Sequence, residues 1–283
     1  MKTKLSMLAV LAAISAPAAA GTIDLGVASN YNVFVFDNYQ TSQWGWSSID
    51  GALAVGGNAN LTSTGVSNSK NNQYKVVVGG VATVNSWDSA VYNNTAGINF
   101  AAAKSNLSGL SNSLYTAAAT GSVEYKYGTG GYLTGTNSNV EYFTLDAANL
   151  SSIGNWQLSN IASGATLIVN VYGSNVALTG GWDAFGGYNT LFNFYDAKTI
   201  NLNNINFSAS ILATEATITG SSGSVNGTVV ANNWNNSLTL GNGNGFVAIT
   251  TAVPEPSSYA LLLAGLGVIG LTATRRKRIL ARS

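Results

Sequence analysis

Cysteine and histidine are absent from this sequence, and arginine is absent from residues 21–252. Without thiols no disulfide can staple the fold, so the chain must rely on an apolar core. The same stretch lacks the commonest general base, the thiolate nucleophile, histidine-ligated zinc and the bidentate guanidinium clamp for anions. Proline occurs only at Pro17, Pro254 and Pro256. A long interval free of a residue that cannot donate to a strand ladder suits a continuously paired backbone. Charge is scarce as well. Residues 21–252 hold five lysines against ten carboxylates, a net charge near −5 that the basic ends hide behind a whole-chain value of +1. No cationic patch is available for a phosphate backbone, which argues against nucleic-acid binding. The surface must therefore be built from Asn, Ser, Thr, Gly and Tyr. With many β-branched and aromatic residues, this composition predicts a folded all-β body. About 230 residues suffice for one domain with a sizeable core.

Both ends read as addresses. Lys2 and Lys4 precede an apolar run at residues 5–14, and Ala16 to Ala20 supply small residues. This pattern predicts a signal peptide over 1–20, cut by signal peptidase to leave Gly21 first. The apolar run is too short to span about 30 Å of hydrocarbon at about 1.5 Å per residue. At the other end, Pro254, Glu255 and Pro256 lead into an apolar segment at 259–273, followed by Arg275, Arg276, Lys277 and Arg278. As a helix that segment is about 22 Å long, marginal for a span, and its basic flank favours the cytoplasm. Residues 253–283 resemble the PEP-CTERM sorting signal of Gram-negative bacteria. That resemblance implies an exosortase-type processing enzyme as partner, a transient inner-membrane anchor, and delivery to the cell surface or extracellular matrix. A permanent single-pass anchor is the alternative reading of the same segment.

Between the signals, short β segments are separated by Gly and Asn. Val55 to Leu61 aligns with Val78 to Val84 at an offset of 23 residues, with paired glycines (Gly56, Gly57 and Gly79, Gly80) at the same place. Such an offset suits one coil of a solenoid, with glycine at the corner. Later segments of three to six residues at 166–171, 176–178, 191–194, 199–202, 210–213, 216–219, 227–231 and 237–240 recur at much shorter intervals, roughly every seven to twelve residues. The pattern fits a parallel β-solenoid or, alternatively, a β-sandwich; the even spacing, the Asn-rich corners and the missing proline favour the solenoid. One segment differs. Phe100, Ala103, Leu107, Leu110, Leu114 and Ala117 trace one face of a helix over 99–120, with Asn99 able to cap its start and Gly121 its end. It is expected to lie along the β body.

The stretches Leu25 to Phe36, Asp50 to Leu61, Val76 to Gly80, Asn99 to Ala103, Gly164 to Val171, Ser210 to Ala213 and Val225 to Ala231, taken in order, resemble the choice-of-anchor A domain. The resemblance covers nearly all of 21–252 and implies an exported, adhesive domain. The last stretch is also similar to ice-binding-type β-solenoids, which implies a long helix packed beside the solenoid. Fold analogy alone does not fix function.

Catalytic candidates are thin. Paired carboxylates alone can run a glycosidase, but no pair of acids is marked by spacing. Asp183 and Asp196 adjoin aromatics, although each sits where a turn is expected. Asp24, Asp37, Asp50 and Asp88 are candidate calcium ligands without the clustered acid motif that calcium loops use. The reading is therefore no catalytic residue, no metal and no cofactor. Aromatic rings beside amides suit carbohydrate, and Trp44 and Trp46, set in a polar stretch, are the candidate exposed rings; core filling is the competing role for the tryptophans. The leading function is a non-enzymatic surface or matrix adhesin associating with exopolysaccharide. The alternatives are an ice-binding protein, suggested by the alternation in Thr217-Ile218-Thr219 and Ser237-Leu238-Thr239, and a carbohydrate-active enzyme with paired carboxylates.

Overall fold

The 23-residue offset is a structural register: Leu53 pairs with Val76, Val55 with Val78, Ala59 with Ala82 and Leu61 with Val84, all in parallel. The structure is a computed structural model that describes residues 20–41, 47–84, 92–93, 97–126 and 130–252. Contacts separate a body of Thr22–Thr250 from a unit made of Met1–Gly21 and Thr251–Ser283. The body is a parallel β-solenoid with three faces, not a sandwich.

The first face stacks Val140–Asp146, Thr166–Tyr172, Asn189–Phe194, residues 210–213 and 229–231, Val33–Val35, Leu53–Val55, Val76–Val78 and Tyr92–Asn93, in that order. Chain order and stacking order differ. The last coil, at 229–231, lies directly against the first, at Val33–Val35. Inward side chains form a continuous row of Phe143, Val169, Phe192, Ile211, Val229, Val33, Leu53 and Val76, all fully buried. Aromatics fill one end of this core, where Trp182 contacts Trp156, Phe185, Phe192 and Phe207.

The outward side of the same face is apolar too, because a helix covers it. Helix α1 (Phe100–Thr116) begins at Asn99, whose side chain accepts from the Ala102 N–H at 2.9 Å. The helix buries Ala103, Leu107, Ser111 and Leu114 against Phe34, Ala54, Val77, Leu191, Leu212 and Val230. Phe100 meets Phe34 at one end, with ring centroids 5.1 Å apart. At the other end the Leu114 carbonyl accepts from Asn170 Nδ2 at 2.9 Å. Fourteen residues rise about 21 Å along a helix, and four strand spacings from Phe34 to Asn170 come to about 19 Å. The helix therefore runs along the stacking direction, bridging coils. It is shorter than the predicted 99–120. Ala117 is already extended, and Thr120 turns away to donate its N–H to the Tyr142 carbonyl.

Glycine sets the corner between first and second faces. A Cβ on Gly79 would lie 2.3 Å from the Gly56 carbonyl oxygen, and one on Gly56 would lie equally close to that of Phe36. Consecutive coils touch backbone to backbone there, which no larger residue permits.

Candidate functional site

Among the described residues nothing covers the second face. It stacks residues 175–178, 199–203, 217–220 and 233–236 with Tyr39–Gln40, Ala59–Leu61 and Ala82–Val84. Alternation along each strand points one set of side chains inward, including Val176, Ile200, Ile218, Trp234 and Tyr39, all buried. The intervening residues face solvent in two rows. One row carries Asn175, Thr199, Thr217, Asn233, Asn38 and Asn58; the other Asn201, Thr219, Asn235, Gln40, Asn60 and Thr83. None of these side chains is charged. Seven coils at about 4.8 Å give a face about 29 Å long.

Hydrogen bonds between coils hold the first row in place at three successive positions. Asn233 Oδ1 accepts from the Asn38 N–H at 3.0 Å, Asn38 Oδ1 from the Asn58 N–H at 3.0 Å, and Asn58 Oδ1 from the Val81 N–H at 2.8 Å. Each amide oxygen is thus used within the ladder. Among the described residues the Nδ2 groups of Asn38, Asn58 and Asn233 take no partner, which leaves them to donate outward. Thr199 Oγ1 donates to Asn175 Oδ1 at 2.8 Å, so that hydroxyl is oriented as well. A shallow groove of about 460 Å³ runs between the rows over Asn38, Gln40, Asn58, Asn60, Val81 and Thr83. Its end residue Val81 is 70% exposed and provides an apolar contact beside the amides. Beneath it Tyr39 lies parallel to Trp234, ring centroids 6.3 Å apart, giving the face a rigid floor. Charge is confined to the corner, where Glu215 pairs with Lys104 at 3.5 Å and Lys198 at 3.9 Å. The arrangement can donate and accept many neutral hydrogen bonds on a fixed lattice.

Several sequence expectations change here. Trp156, Trp182 and Trp234 are core residues, so these three rings do not join the amides on this face. Trp44 and Trp46 lie outside the described residues, as do Pro254, Glu255, Pro256, Arg275, Arg276, Lys277, Arg278 and the segment 259–273. Among the described residues no helix is long and apolar enough to cross a membrane. Thr217 and Thr219 sit on the uncovered face, but Thr239 pairs with Ser224 on the third face, so the two Thr-bearing units do not share a surface. Asp183 accepts from Asn206 and Ser208, and Asp196 from the Gly173 N–H; both carboxylates are engaged in turns. Among the described residues no three acids converge as a metal site would require. Sequence reasoning missed Glu141, a fully buried carboxylate at the start of the strand Val140–Asp146 that accepts from the turn before it. Its only sequence signal is an acid set between hydroxyl residues and the apolar strand 142–145.

A family model described as "Putative Ice-binding-like adhesive domain" matches residues 24–96 and 83–244. A second, the PEP-CTERM protein-sorting motif, matches 252–278. That motif implies processing by exosortase-type sorting machinery and indicates export to the cell surface in Gram-negative bacteria. No curated protein matches the chain. Among solved structures, an ice-binding protein from the Antarctic ascomycete Antarctomyces psychrotrophicus is 16% identical, with a TM-score of 0.36, covering 78% of this chain and 98% of its own. An ice-binding protein domain from Shewanella frigidimarina is 15% identical, with a TM-score of 0.35 and coverage of 79% and 95%. A glycosylated ice-binding protein from an Arctic yeast is 18% identical, with a TM-score of 0.31 and coverage of 80% and 94%.

Proposed function

The chain belongs to the ice-binding-like adhesive domain family, and from that premise we propose that it is a non-enzymatic surface adhesin whose uncovered face holds exopolysaccharide. The observation that carries the reading is the double row of uncharged amides and hydroxyls, one row of which is fixed at Asn233, Asn38 and Asn58 by coil-to-coil hydrogen bonds. A neutral polysaccharide offers hydroxyls that both donate and accept, and a stiff array meets them without ordering its own side chains first. Many weak contacts along a polymer then act together. In this reading residues 1–20 are a signal peptide removed by signal peptidase. Residues 21–252 are the binding domain, consistent with the choice-of-anchor A resemblance. Residues 253–283 are the sorting tail, with 259–273 as a transient anchor and the matrix as destination. Trp44 and Trp46 remain proposed additional contacts.

The test is co-sedimentation of the protein with the host's isolated exopolysaccharide between about 0.01 and about 1 M salt, over which the Debye length falls from about 30 to about 3 Å. Retention should barely change across the series and should drop when Asn201 and Gln40 are both replaced by Lys. Retention that collapses with salt, or that ignores the double substitution, overturns the assignment. The neighbouring hydroxyls of Thr199, Thr217 and Thr219 favour a second reading, ice binding by the same face. Absence of thermal hysteresis and of ice-recrystallisation inhibition would dismiss it.

A further inference from the structure

Where α1 ends, two tyrosines from distant parts of the chain lie face to face. Tyr115 is the penultimate residue of α1, and Tyr195 follows the strand Asn189–Phe194. Their ring centroids are 3.6 Å apart and their planes differ by 18°. Among the described residues no other two tyrosine rings stack. Tyr115 is 42% exposed and Tyr195 is half-buried. The Tyr195 hydroxyl is held protonated well above the ordinary range, first by burial, then by the Tyr115 hydroxyl and by Asp196.

From this geometry we infer that Tyr115 and Tyr195 form an intramolecular dityrosine cross-link when the exported protein meets peroxide and a peroxidase. Each phenol loses one electron and its hydroxyl proton to the oxidised peroxidase. The two ring radicals then join through an ortho carbon of each. The new carbon–carbon bond forms from π lobes perpendicular to the rings, so stacked rings present the orbitals in the orientation that coupling needs. Both joined carbons then release their hydrogens as protons and the hydroxyls are restored. One hydrogen peroxide is reduced to two waters per cross-link, which balances the two electrons and two protons withdrawn.

The rest of the composition offers no sulfur competitor for the oxidation. Residues 21–252 contain neither cysteine nor methionine, so no sulfur side chain intercepts the oxidising equivalents. The described tryptophans are buried. The product would tie the last turn of α1 to the strand edge beneath it, a covalent staple in a chain that has no thiol to make one. This inference does not depend on what the uncovered face binds.

The experiment treats the dilute full-length protein with peroxidase and hydrogen peroxide, then reads dityrosine fluorescence and maps cross-linked peptides by mass spectrometry. The expected result is one dominant peptide pair containing residues 115 and 195, two hydrogens lighter than the separate peptides, in a chain that remains monomeric. Tyr115→Phe and Tyr195→Phe keep the ring stack but remove the phenol, and each should bring that signal to background. Tyr172→Phe, at the neighbouring position, should leave it intact. Circular dichroism checks that all three variants fold. Cross-links that map to other tyrosines, that join only separate chains, or that persist in Tyr115→Phe overturn the inference, as does the absence of any dityrosine.

Discussion

Glu141 sits with no exposed surface at the start of a first-face strand, and its carboxylate closes the preceding turn. Thr120 Oγ1 donates to Oε2 at 2.6 Å; Thr136 N, Ser138 N and Thr136 Oγ1 donate to Oε1 at 2.6, 2.9 and 3.0 Å. Burial alone would raise the pKa of this group, but the hydrogen bonds outweigh it and hold the group below its ordinary value. Glu141→Ala would leave the N–H groups of Thr136 and Ser138 without their acceptor, but both residues are exposed and water can replace part of each bond. The cost should therefore be about 1–3 kcal/mol. Glu141→Gln is gentler. Its amide oxygen can keep the two backbone donors while its nitrogen donates to Thr120 Oγ1, which already accepts from the Tyr142 N–H. Only the charge assistance is lost, about 1–2 kcal/mol once the relieved burial of charge is allowed for.

The assay is urea unfolding, read as a midpoint shift at constant slope. The pH dependence gives an independent check on sign. As pH falls, the unfolded chain takes up the Glu141 proton before the folded one does, so the wild-type advantage is present above the ordinary carboxyl pKa. It disappears as pH drops through the lower folded value. The gap between wild type and Glu141→Gln should therefore close in acid. A gap that stays constant from neutral pH to about pH 3, or a Glu141→Ala cost below about 0.5 kcal/mol, would refute the reasoning.

Two further outcomes follow from packing and titration. Gly79→Val should destabilise by about 1–3 kcal/mol or more, because its Cβ meets the Gly56 carbonyl oxygen at 2.3 Å and backbone must move; a thermal melt unchanged from wild type would remove the corner argument. Burial raises the pKa of Tyr31, Tyr39, Tyr125 and Tyr142 above 10.0. Unfolded tyrosines lose their protons first as pH rises through that value, so alkaline pH favours unfolding. Phenolate absorbance should consequently lag behind a free-tyrosine titration and rise together with loss of circular dichroism; full ionisation with the fold intact would contradict these placements.

The parts of this fold legible in the sequence were those repeated locally. The alignment of 55–61 with 78–84 is the register of the ladder because one coil is 23 residues long there and glycine marks both corners. Asn99 was readable as a cap because capping is a contact three residues away. The helix end was not. Thr120 leaves the helical path to serve Glu141 and the Tyr142 backbone, partners about twenty residues downstream. Ser111 interrupts the apolar stripe yet is buried, since its hydroxyl donates to Asn193 Oδ1, 82 positions later. The Thr pairs looked equivalent by alternation, but which face a strand joins depends on where the corners fall. The amide rows were visible only as composition until the stacking aligned Asn233, Asn38 and Asn58 from opposite ends of the chain.

The seam between residues 229–231 and Val33–Val35 has a kinetic meaning. A chain exported amino-terminus first delivers the strand at 33–35 early, with one edge open. Its partner emerges almost two hundred residues later. Stepwise propagation from the first coil, as ordinary repeat arrays allow, cannot finish this body. The high sequence separation of the seam predicts slow folding with a late, all-at-once closure. Until that closure the open edge invites pairing with other chains, so the protein's most vulnerable interval falls between translocation and completion of the seam.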